Sequence, residues 1–425
     1  MVPDRDRYEI TVLESGLTVV SESLPYVHSV ALGVWSRAGS RDERAGTEGT
    51  AHFLEHMFFK GTPDRSAFDI AYELERLGGY MNAFTSKDHT CFYTRILDTH
   101  LDVAMDVLGD MVQHPRLDPE EVEREKSVIQ EEIKTAVDTP DDWITELFYR
   151  DLYGEHPLAH PVLGSAETVG SLSQEDLEAF IQRRYRLDNL LVAAAGSLEH
   201  RRLVGLVEET FTDLPPGPVV PRELTAPHRQ AGSRNLHPRD ISQVHLLVGA
   251  QGLRYVDEER FGLAVLLNIL SGGMSSRLFQ SLREERGLVY TISGQSELYE
   301  ETGAIGFYLA CAPQNASEAL DLIRRELEAV AAGDSMTAEE LESAKEQLKG
   351  HLMLALESTF NRMSRLAKGL LFEGQVRTLE EVLRNIEAVT AEDLTRLAGE
   401  ILDPEGLTVT MLGAVDSAAN QGAAA

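Results

Sequence analysis

The sequence predicts an α+β fold built twice, with two duplicated modules that each pack helices on a mainly antiparallel sheet. Three observations carry this expectation. The stretch DLPPGPVVPRELTAP (213–227) holds five of the 16 prolines and divides the 425 residues into two halves of similar length. Proline lacks a donor N–H and fixes φ, so this stretch cannot continue a helix or a central strand and reads as a linker. Both halves repeat one order of elements: strands, helix, strands, helices. The strand-like runs FYTRIL and IGFYLAC follow turn-like segments, while LDVAMDVLGDMV and ALDLIRRELEAVAA carry helical periodicity. Strands and helices grouped in this way suit helices laid on an antiparallel sheet.

The chain opens MVPDRDRYEITVLESG, which is charged and lacks the apolar core of a secretory signal. No apolar run approaches the roughly 18 residues of a membrane span, so no span is expected and a cytoplasmic location is. The first half continues HSVALGVWSRAG, a glycine-rich turn and a helix containing AHFLEH; the second runs SQVHLLVGAQG, then DEERFGLAVLLNIL. Setting Ala51 against Ala264 pairs His52 with Val265, Glu55 with Asn268 and His56 with Ile269. Further on, 117–132 matches 336–351 without a gap, so that Glu125 meets Ala344 and Glu132 meets His351. One half thus carries polar groups where the other is mostly apolar, as expected of a duplicated fold with a single site.

Cys91 and Cys311 lie in strand-like runs and cannot form a disulfide framework; they read as small buried hydrophobes. The net charge of −31 argues against nucleic acid as a partner and favours cationic ones. The tail SAANQGAAA has nothing to bury, and 416–425 is expected to be disordered.

The pentapeptide His52-Phe53-Leu54-Glu55-His56 carries the chemistry. Residues four apart share a helix face, so two imidazoles can reach one ion, and Glu55 leans toward the same place. H-x-x-E-H is the inverted form of the zinc-peptidase motif H-E-x-x-H. A catalytic zinc needs a third protein ligand and an open position. A second helix begins Leu117-Asp118-Pro119, with Asp118 as cap and proline in the first turn, and Val122, Ile129 and Ile133 form its apolar stripe. Glu125 and Glu132 border that stripe two turns apart. In a chain with 70 acidic residues, spacing alone does not choose between them.

Resemblance makes that choice. HxxEH followed by EKSVIQEE (125–132) is similar to the pitrilysin and mitochondrial processing peptidase superfamily, in its short, processing-peptidase-like branch. The resemblance implies His52, His56 and Glu132 as ligands of one Zn2+ per chain, Glu55 as the base that activates the attacking water, and Glu125 as the carboxylate that orients the site. GGYMNAFTSKDHTCFY (78–93) is similar to the family's edge strand, so Asn82, Ala83 and Phe84 would bind peptide. SLREERGLVY resembles the segment carrying the family's Arg/Tyr pair, which makes Arg283 and Tyr290 contacts to the substrate carbonyl. LSGGMSSRLFQ stands where non-catalytic processing subunits have a glycine-rich loop, but is much poorer in glycine.

The expectation is then a zinc metalloendopeptidase that cleaves short or unfolded peptides in a closed chamber. A catalytic module (1–212), linker (213–227) and second, metal-free module (228–415) would form half of a clamshell, completed as a homodimer or with a related chain. The alternative is a non-catalytic or structural partner subunit of a related peptidase or membrane complex. Such subunits typically lack ligands that this chain keeps.

Overall fold

The structure, a computed structural model, describes residues 8–222, 224–228, 232–333 and 336–414. The expected tail 416–425 and Glu223 of the expected linker lie outside them. Among the described residues, strands form two sheets. The first contains β1 (Tyr8–Val12), β2 (Thr18–Ser23), β3 (Ser29–Ser36), β4 (Tyr80–Thr85), β5 (Thr90–Leu97) and β6 (Leu190–Gly196), in the order β1-β2-β6-β3-β5-β4. The second contains β7 (Ser233–Pro238), β8 (Val244–Gly252), β9 (Val289–Leu298), β10 (Gly303–Cys311) and β11 (Thr408–Gly413), in the order β7-β11-β8-β10-β9.

Without β1, the two orders are the same. β2 runs parallel to β6, as β7 does to β11, and the remaining neighbours are antiparallel. The long central pairs match as well: Ser29 to Ser36 opposes Leu97 to Thr90, and Val244 to Gly252 opposes Cys311 to Gly303. Duplication is thus visible in topology. The α+β expectation holds, and Cys91 and Cys311 are buried and free. No helix of the described residues is long and apolar enough to cross a membrane.

The compact units do not follow the halves of the sequence. Among the described residues, unit 1 comprises those of 8–135, 160–222 and 354–378, and unit 2 those of 136–159, 224–353 and 379–414. Each half therefore contributes one helix to the other half's sheet. Helix Pro140–Tyr153 places Ile144, Leu147, Phe148 and Leu152 in a buried cluster with Leu247, Ala304 and Leu412 of the second sheet. Helix Thr359–Lys368 places Met363, Leu366 and Ala367 against Val20, Trp35, Leu191 and Ala193 of the first. A Cβ on Gly33 of β3 would lie 3.0 Å from Met363 Sδ, so glycine there lets this helix lie close to the sheet. The two sequence-drawn modules differ from the units for a physical reason: an amphipathic helix needs an apolar face to cover, and periodicity does not say whose.

The linker's first part lies against unit 1. Pro215 and Val220 carbonyls accept from Leu187 N–H and Arg184, at 3.2 and 3.0 Å. Arg222 donates to Asp42 at 2.7 and 2.9 Å.

Candidate metal centre

Two helices of unit 1 build the site. The helix Thr50–Phe58 buries Phe53, Leu54, Met57 and Phe58, with the Phe58 ring 4.7 Å from Phe92 and 5.1 Å from Tyr185. That packing sets the helix's rotation and turns His52 and His56 the other way, their ring centroids 4.7 Å apart. The helix Pro119–Asp138 begins as expected, with Asp118 Oδ1 accepting from Glu120 N–H at 3.0 Å, and buries Val122, Glu125, Ile129 and Ile133.

Glu132 reaches from this second helix to the histidines. Its Oε2 lies 3.8 Å from His52 Nε2 and 3.5 Å from His56 Nε2. One donor atom from each of the three residues lies within 4.8 Å of the others, the one such His/Cys/Asp/Glu group among the described residues. Zinc bonds of about 2.0–2.1 Å in tetrahedral geometry separate neighbouring donors by roughly 3.3 Å. The observed gaps fit after small side-chain adjustments, and two imidazoles with one carboxylate are a donor set typical of catalytic zinc.

The surroundings prepare the ligands. Burial, with the nearby His56 ring, lowers His52 to about 3, which leaves it neutral and able to offer a lone pair. His56 Nδ1–H donates to Glu125 Oε1 at 2.7 Å, which directs Nε2 toward Glu132. Burial lowers His56 too, but the Glu125 hydrogen bond and the Glu132 charge outweigh it, and its pKa is raised. Burial alone would raise Glu125, which is only 2% exposed; the His56 bond and the Lys60 ammonium 2.5 Å from Oε2 hold it below the usual carboxylate range.

Glu55 stands beside this group and donates no atom to it. Its Oε2 accepts from Thr85 Oγ1 at 2.5 Å, at the end of β4, and burial raises its carboxyl despite that bond. Asn82, Ala83 and Phe84 lie on β4, an outer strand of the first sheet that pairs, among the described residues, only with β5. Asn82 there donates to Tyr80 Oη at 2.8 Å and accepts from Ala83 N–H at 2.9 Å.

Arg283 and Tyr290 are brought together in unit 2. The guanidinium lies 4.7 Å over the Phe279 ring and 5.1 Å over the Tyr290 ring, and Tyr290 at the start of β9 is 77% exposed. Lys60 and Thr85 are contacts that sequence reasoning does not reach. Their partners are 65 and 30 positions away, and neither sits in a pattern that announces it.

The profile of the insulinase family, peptidase family M16, matches residues 18–166, and that of the M16 inactive domain matches 171–348. An uncharacterized zinc protease of Mycobacterium tuberculosis is 42% identical over 395 residues, covering 92% of this chain and 90% of the relative. The uncharacterized zinc protease YmxG of Bacillus subtilis is 39% identical over 389 residues, 91% and 94% of the two chains. In fold, the chain is similar to a protease from Helicobacter pylori, with a TM-score of 0.90 at 22% identity over 96% of this chain and 99% of that one. It is similarly close to an M16 inactive-domain structure from Pseudomonas fluorescens, at TM-score 0.89, 20% identity and coverage of 96% and 98%. On this full-length identity to zinc proteases, the chain belongs to the M16 (insulinase) family of peptidases, the pitrilysin-like group that its motifs resemble.

Proposed function

We propose that this chain is a zinc-dependent endopeptidase acting on short or unfolded peptides. The observation that carries the reading is the convergence of His52, His56 and Glu132 with Glu55 held beside them by Thr85. The three converging residues hold one Zn2+ per chain. Bound zinc supplies Lewis acidity, which polarises a carbonyl and makes water acidic enough to lose a proton near neutral pH.

The protein's own residues do the rest. Glu55, kept off the metal, takes the proton of the attacking water and passes it to the leaving amine. Thr85 fixes the Glu55 carboxylate. Glu125, anchored by Lys60, fixes the His56 ring. An extended peptide adds to β4 along Asn82–Phe84 by main-chain hydrogen bonds, which a folded substrate cannot offer without unfolding. Arg283 and Tyr290 are assigned to the substrate carbonyl on the strength of the motif, in this chain's site or a partner's, and the stacked guanidinium is preorganised for that task. Closure of a chamber requires two chains, as a homodimer or with a related chain.

The test is metal removal. Chelation should abolish cleavage of an unstructured peptide, and one equivalent of zinc per chain should restore it. Undiminished cleavage by protein confirmed free of metal would overturn the reading. A chain that binds zinc and cleaves no peptide, alone or with a related chain, would instead support the non-catalytic subunit.

A further inference from the structure

The helix that carries His52 and His56 starts at a residue that cannot cap it. Gly49 has φ +96° and no side chain, and a Cβ there would lie 2.9 Å from the Leu163 carbonyl oxygen and 3.2 Å from Gly164 Cα. The usual Ser, Thr or Asp is thus excluded by space and by backbone conformation. A helix start leaves its first N–H groups without intrahelical partners. Here the Thr50 N–H finds the Thr47 carbonyl at 3.2 Å. The amides on either side, Gly49 and Ala51, both go to one carboxylate: Glu43 Oε2 accepts from Gly49 N–H at 2.9 Å and Oε1 from Ala51 N–H at 2.7 Å.

Glu43 is itself held firmly. It follows the short helical turn Ser40–Asp42, whose Ser40 and Arg41 N–H groups donate to the Ser86 and Lys87 carbonyls at 3.1 and 2.9 Å. Asp42 is paired with Arg184 at 3.1 Å and with Arg222 at 2.7 Å. The same loop, 86–89, joins β4 to β5, and β4 ends in Thr85, the partner of Glu55.

We infer that Glu43 is a positioning residue of the metal centre, a cap supplied from outside the helix that fixes the first turn and with it the approach of His52. His52 follows Ala51 directly, so its backbone position depends on the turn that Glu43 closes. His56, one turn further on, is held separately by Glu125. Loss of the cap should therefore act mainly through His52, whose own Nδ1 is buried and finds no hydrogen-bond partner among the described residues to hold the ring. The inference rests on the reading of His52, His56 and Glu132 as metal ligands.

The experiment measures zinc affinity by chelator competition, well below the melting temperature, in the wild type, Glu43→Ala and Glu43→Gln. Leu203→Ala, a core change on another helix of unit 1, controls for general destabilisation. Glu43→Ala should weaken zinc binding about 10-fold, the range seen when a group supporting a ligand is lost. Glu43→Gln keeps one acceptor oxygen and should fall between; it carries the test if Glu43→Ala does not fold. Cobalt-substituted Glu43→Gln should show an altered visible spectrum, reporting changed ligand geometry without reference to turnover. Unchanged affinity and spectrum in the folded Glu43 variants would overturn the inference, as would an equal loss in Leu203→Ala. If the wild type took up no zinc, the ligand assignment and this inference would both fall; if it did and Glu43→Ala matched it, only the inference would.

Discussion

The helix pair that carries His52, His56 and Glu132 has a counterpart in unit 2. Helices Thr50–Phe58 and Pro119–Asp138 correspond to Arg260–Ser271 and Ala338–Ala355, each placed in the same order around a sheet of the same topology. In unit 1 the space between the helices receives three donor atoms that converge. In unit 2, Asn268 stands where the alignment puts Glu55. Its amide donates inward to the Ala344 carbonyl at 3.0 Å and to Gln347 Oε1 at 3.2 Å. The positions matching His52 and His56 are Val265, which is buried, and Ile269, beside a polar cavity of about 290 Å³ also lined by Ser276, Glu340 and Gln347. The scaffold therefore does not make the site. What separates the two is whether the polar groups satisfy one another within the protein or leave lone pairs aimed at a common point.

The largest effect should come from the residue that distinguishes the pairs most sharply. Glu55→Gln should keep zinc and lower kcat by about 10²–10⁴, the usual worth of a positioned base. Glu132→Gln should weaken zinc binding about 10-fold or more, and Asn268→Ala should leave both zinc content and kcat unchanged. Metal analysis and steady-state kinetics check all three. Loss of zinc from Glu55→Gln, or of activity from Asn268→Ala, would break the comparison.

The exchanged helices sharpen it further, because each sheet is completed by the other half of the chain. Met363 is fully buried in unit 1, so Met363→Ala should cost about 2–5 kcal/mol of stability although it lies in the second half of the sequence. Chemical denaturation monitored at Trp35, buried in the same cluster, measures it. A loss below about 1 kcal/mol would mean that this helix does not complete the first sheet.

Thr85→Val should lower turnover less than Glu55→Gln does. It removes one hydrogen bond to Glu55, worth about 1.5–3 kcal/mol when the acceptor is charged, without touching His52, His56 or Glu132. A fall in kcat of about 10- to 100-fold with zinc content and KM unchanged is expected from steady-state kinetics and metal analysis. A loss of zinc would place Thr85 in metal binding rather than in the orientation of Glu55.

Much of this protein was determined locally. His52, Glu55 and His56 are legible because helical periodicity alone brings residues three and four apart to one face. The apolar stripe Val122, Ile129 and Ile133 is buried as its spacing requires. The duplication was legible in the repeated order of elements and is confirmed by two sheets of one topology. Glu132 needed the resemblance, since no local pattern states how close a residue 76 positions after His56 comes to it. Tertiary structure alone decided which sheet each exchanged helix covers, that Lys60 anchors Glu125, that Thr85 holds Glu55, and that a glutamate six positions before Gly49 caps the helix of His52 and His56. In each case the energy comes from a contact between segments that the chain brings together only by folding, and one segment read by itself carries no trace of its partner.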